Sequence, residues 1–145
     1  MNLISKDVHY GFNNVLFYSS FIFITNIILA YYVDEPIYFL LFSMLLTTSL
    51  IVHYTQDIFV YYCDKVVIYS IFFYGFLVFS MKLYKINTLY QMLLTVLVVF
   101  CFVMCVYIYD NYSNINLVIL NKEGYFYHIL VHLVGSIGHN LIMLL

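Results

Sequence analysis

Apolar residues run along this chain in five long stretches, parted by short polar clusters and a single proline. The first covers residues 15–33 and is interrupted only by Ser19, Ser20, Thr25 and Asn26. Asp34-Glu35-Pro36 then turns the chain. Pro36 suits the first position of a helix, where its missing N–H is not needed, with Asp34 or Glu35 near the cap. The second stretch, 37–54, ends around His53. Asp64 opens the third, 64–81, and the segment from Thr55 to Cys63 before it can lie in the membrane interface. Lys82 and Lys85 mark its exit. The fourth, 89–109, is a nearly unbroken Leu, Val and Phe run. A polar loop from Asp110 to Gly124 leads to the fifth, 125–144. A helix needs about 20 apolar residues to cross a bilayer, and each stretch is close to that length. The pattern predicts an all-α membrane protein, a single polytopic domain over residues 1–145 built as a bundle of about five transmembrane helices.

Composition sharpens this picture. The chain has 145 residues, 66% hydrophobic and 8% charged, where a soluble domain carries about 25% charged residues. Its basic residues are Lys6, Lys65, Lys82, Lys85 and Lys122, which build no basic face, so nucleic acid is not an expected partner. Lysines are nearly balanced between the two sides and leave the orientation open. Three cysteines make no disulfide framework, and Cys101 and Cys105, at helical spacing mid-span, read as small packing residues. Asn26 reads as an interhelical hydrogen bond.

The last stretch carries the chemistry. It is apolar enough to cross a bilayer, yet it holds His128, His132 and His139. An imidazole in hydrocarbon is costly unless paired, so an intramembrane histidine is a functional-site candidate by default. His128 and His132 are four apart, which puts both rings on one helix face, a spacing that suits two ligands of one metal ion. With five crossings, the end of the second helix and the starts of the third and fifth share one side of the membrane. Ser49, His53, Asp64, His128 and His132 all fall there. Three imidazoles, His53, His128 and His132, with an open fourth position form a catalytic Zn2+ arrangement. Asp64 and Ser49 would stand beside the ion or react. Asp64, as the first residue of its helix, would meet the positive end of the helix dipole. His139 lies on the same stripe as His132, about 10 Å deeper, and reads as a satisfied packing histidine.

The pattern Ser49-x-x-x-His53, Asp64 eleven residues later, and His128-x-x-x-His132 in the final helix resembles the alkaline ceramidases. These belong to the CREST group of membrane hydrolases, with the progestin/adiponectin receptors and haemolysin III-like proteins. The gap from His53 to Asp64, the run Leu133-Val-Gly135-Ser-Ile-Gly138 and Thr55 are similar to the ceramidase branch, over about residues 45–70 and 125–145. The resemblance implies a shortened form of a seven-helix fold and a hydrolase acting on a linear amide C–N bond, with ceramide as substrate. It also implies His53, His128 and His132 as zinc ligands, Asp64 near the attacking water and Ser49 near the carbonyl oxygen. An endoplasmic-reticulum or Golgi-type membrane is the implied location.

The chain departs from the family in several places. It has room for about five spans rather than seven, and Leu130 and Val131 replace an aromatic pair. Of the family's acidic calcium-binding segment only Asp7, Asn13 and Asn14 remain, which argues against a calcium site. Two other readings stand beside the hydrolase: a lipid-binding or receptor-like relative without turnover, and a metal-free helical interaction protein. A homo-oligomer, with a second copy completing the pocket, is compatible with all three.

Overall fold

The computed structural model describes residues 14–55, 57–113 and 122–145. Asp7 and Asn13, on which the calcium expectation turns, lie outside them, as does most of the expected 110–124 loop. Among the described residues the chain is wholly helical, without a strand. Five helices are long and apolar enough to cross a membrane: Val15–Tyr32, Pro36–Thr55, Ile58–Leu83, Leu89–Asn111 and Tyr125–Leu144. They are called the first to fifth helix below.

Local chemistry sets the helix ends. The first helix stops at Asp34, whose φ of 57° places it in the left-handed region, with Glu35 N donating back to Ala30 O at 2.9 Å. Pro36 then starts the second helix, as its fixed φ favours. Asp57 caps the third: Oδ1 accepts from Phe59 N at 2.8 Å and Val60 N at 3.1 Å. This corrects the expected start of that helix. Asp64 is not its first residue but lies nearly two turns inside, so the helix dipole acts on Asp57 instead. Tyr61, Tyr62 and Cys63, read as interfacial, are part of the same helix. Thr88 and Gln91 act together at the fourth helix, with Gln91 N donating to the Thr88 hydroxyl and Asn87 N donating to Gln91 Oε1. The expected loop at Asp110 begins later, because Tyr109–Ser113 continues the fourth helix as a π-helical turn. The first helix is interrupted by a 3-10 turn, Ser20–Ile22, that nothing in the apolar pattern announces.

The first helix packs on the second and the second on the third, while the fifth lies against the fourth, the first and the third. The third and fourth helices reach each other through side chains: Phe72 meets Phe102 edge-on at 5.8 Å, and Lys65 Nζ donates to Tyr109 OH at 3.2 Å. Tyr38, Phe42, Val98 and Ile142 fill the core, while many apolar side chains of every helix face outward, as hydrocarbon surroundings permit. Small residues let the fifth helix approach its neighbours. A Cβ on Gly138 would sit 3.2 Å from Cys101 Cβ, and one on Gly135 would sit 3.6 Å from Cys105 Sγ, so both cysteines are packing residues. Near the end of that helix, Lys82 Nζ donates to the carbonyls of Ile142 (3.0 Å) and Met143 (2.9 Å), a cation at the negative end of the helix dipole.

Gly75 of the third helix has a specific reason to be glycine. A Cβ there would lie 2.5 Å from His139 Cε1 and 3.1 Å from Tyr38 OH. Gly75→Ala is therefore expected to destabilise the detergent-solubilised protein by about 1–3 kcal/mol, the usual range for overpacking. In thermal unfolding the loss should shrink when His139→Ala is combined with it, since removing the ring removes the clash.

Candidate metal centre

His53 sits in the last turn of the second helix, and the fifth helix offers His128 and His132 from successive turns of one face. The ring centroids of His128 and His132 are 4.6 Å apart; His53 reaches across to 5.6 Å from the first and 5.9 Å from the second. One ring nitrogen from each lies within 4.8 Å of the other two. The three histidines expected to share a metal are thus brought together. A tetrahedral zinc with Zn–N bonds of about 2.0–2.1 Å needs ligand nitrogens about 3.3 Å apart. The three nitrogens, within 4.8 Å of one another, are therefore wider apart than bound ligands would be and would draw together on binding. Three imidazoles, without a thiolate or carboxylate in the cluster, suit zinc rather than a hard cation that prefers oxygen. The donor set fits the expected ion.

Asp64 stands outside that cluster. Its side chain is buried, and Oδ1 accepts from the Thr48 hydroxyl at 2.8 Å. Ser49 is also buried and lies 2.9 Å from Ser20 Oγ on the first helix. Either oxygen of that pair can donate. The Leu16 carbonyl accepts from both the Ser19 hydroxyl at 2.7 Å and the Ser20 hydroxyl at 3.2 Å, as its two lone pairs allow. With the Ser20 proton on that carbonyl, Ser49 donates to Ser20 in this arrangement, and its proton reaches a ligand oxygen only by turning away from Ser20.

The first helix also holds the fifth. Asn26 Nδ2 donates to Ser136 O at 2.9 Å and to Asn140 Oδ1 at 2.8 Å, the Ser136 hydroxyl donates to Asn26 Oδ1, and Asn140 Nδ2 reaches Thr25 Oγ1 at 3.2 Å. A slide of one residue along the axis would break every one of these bonds, so they fix the depth of His128 and His132 relative to the first helix. Asn26 is the interhelical partner its position predicted. His139 is satisfied, with Nδ1 3.2 Å from Tyr38 OH and its ring edge-on to Phe42 and Phe102.

The sequence pattern singles out the five residues but not the groups that hold them: Ser19 and Ser20 read as interruptions of an apolar stretch, and Thr48 carries no signal of its own. The usable signal was spacing, since Ser19, Ser20 and the second-helix hydroxyls fall at the same end of the bundle. No protein-family model, curated protein or solved structure matches the chain.

Thr48→Val keeps the shape of the side chain and removes the donor to Asp64. Leaving a buried carboxylate oxygen without its partner should cost about 1–3 kcal/mol. Thr48→Ser should stay close to the parent; unfolding midpoints of the two variants in one detergent decide it.

Proposed function

We propose that the protein is a zinc-dependent membrane amidase that hydrolyses ceramide to a sphingoid base and a fatty acid. The observation that carries this reading is the convergence of three imidazole nitrogens, from His53, His128 and His132, within 4.8 Å at one end of an apolar bundle. Support comes from the order Ser49, His53, Asp64, His128 and His132 along the chain, which resembles the alkaline ceramidases. On this reading the protein is a shortened relative of their seven-helix fold, resident in an endoplasmic-reticulum or Golgi-type membrane, and takes its substrate from the bilayer.

When bound, zinc supplies the Lewis acidity that hydrolysis of an unactivated amide needs at neutral pH. The chain's own groups do the rest. Ser49 turns its proton from the Ser20 oxygen to the amide carbonyl oxygen, as a hydrogen bond that strengthens as charge develops there. Asp64, oriented by Thr48, takes a proton from the attacking water and returns it to the departing sphingoid nitrogen as the C–N bond breaks. The water oxygen ends in the fatty acid, and the amine leaves neutral.

A second reading, a lipid-binding relative without turnover, is favoured by one observation: Ser49 and Asp64 are both buried and already bonded to their own chain. Three measurements separate the readings. Detergent-purified protein should carry zinc, and His53→Ala and His128→Ala should each lose most of it. Labelled fatty acid should be released from ceramide, and a chelator should stop the release. Asp64→Asn should then slow release by about 10²–10⁴-fold, the usual worth of a general acid–base group. Zinc without release would leave the binder, and no zinc in the parent would remove the hydrolase reading.

A further inference from the structure

The first helix meets the histidine cluster at one point. Ser19 Oγ lies 3.0 Å from His132 Nδ1, and Phe23, one turn on, sets its ring 5.0 Å from the same imidazole, tilted by 54°. The 3-10 turn Ser20–Ile22 falls between these two contacts. His132 is therefore bonded at Nδ1 and packed by an aromatic ring, both from a helix that contributes no ligand.

A hydroxyl has one proton to give. Ser19 Oγ lies 2.7 Å from the carbonyl oxygen of Leu16, and a carbonyl can only accept, so that is where the proton goes. Towards His132, Ser19 can then only accept, and the nitrogen facing it must carry the hydrogen. A neutral imidazole has one N–H, so the other nitrogen, Nε2, keeps its lone pair. The opposite arrangement would turn the Ser19 proton to Nδ1 and leave the hydrogen on Nε2, where it blocks a metal. It would also give up the shorter of the two Ser19 contacts.

We infer that Ser19 is a positioning residue for the metal centre: its hydroxyl holds His132 as the Nδ1–H tautomer and so reserves Nε2 as the ligand atom. The inference deepens the zinc reading, because a ring already in the correct tautomer and orientation binds a metal without rearranging. Groups that orient a ligating histidine in this way are commonly worth 10–100-fold in metal affinity. Ser20 and Phe23 cannot replace it, since Ser20 faces Ser49 and Phe23 has no acceptor.

The test uses the full chain in detergent, with zinc as the probe. Ser19→Ala should bind zinc about 10–100-fold more weakly than the parent, while Ser19→Thr, which keeps the hydroxyl, should stay within about threefold. In metal-free protein carrying 15N-labelled histidine, the His132 signals should report the Nδ1–H form in the parent and in Ser19→Thr. In Ser19→Ala they should shift towards Nε2–H. A lost packing contact would lower stability but would not switch the tautomer. Should Ser19→Ala fail to fold, Ser19→Cys offers a weaker acceptor of the same shape and should show the same shift in smaller degree. Parent-like affinity and an unchanged tautomer in Ser19→Ala would overturn the inference. If the parent binds no zinc, the hydrolase reading fails on its own, and the tautomer comparison still decides the role of Ser19.

Discussion

Everything in this bundle follows from one constraint: in hydrocarbon a polar group has no water to turn to, so each must find its partner inside the chain. The described residues meet that demand completely, as no buried side-chain nitrogen or oxygen is left without a hydrogen bond. Apolar surface does not choose among arrangements of five greasy helices, because lipid tails solvate leucine as well as another helix does. The polar groups do choose. Asn26 with Ser136 and Asn140, Ser20 with Ser49, Thr48 with Asp64, and Lys82 with the final carbonyls each exclude other registers.

These partnerships divide the bundle by depth. Towards one surface lie the three imidazoles and the hydroxyls of Ser19, Ser20 and Thr48. Deeper in, the Asn26 set ties the first helix to the fifth. Further along, Tyr38 and His139 pack under Gly75, and Tyr74 OH donates to Glu35 at 3.2 Å. The histidine cluster therefore rests on a column of satisfied contacts, and its geometry is inherited from residues far from any metal.

The five helices were legible because each apolar stretch matches the thickness of a bilayer, and the pairing of His128 with His132 was legible because four residues make one turn. That His53 joins them followed from counting crossings. What pattern could not reveal was tertiary. The start of the third helix was misplaced because Tyr61, Tyr62 and Cys63 suit interface and helix equally, and only the Asp57 cap decides between them. The 3-10 turn at Ser20 has no proline or glycine to announce it. Ser19 and Thr48 gain meaning only from what the neighbouring helix sets opposite them, and spacing along one strand of sequence does not contain that.

The bonds between the first and fifth helices also bear on how the chain is made. Asn26 and Thr25 are made at least 110 residues before the partners they meet, Ser136 and Asn140. Until then the amide of Asn26 has none of the fifth-helix partners it holds in the folded bundle. A chain cut before residue 122 would therefore keep the first helix but lose every partner of its one amide, so the polar seam of the bundle closes only once the fifth helix has been made.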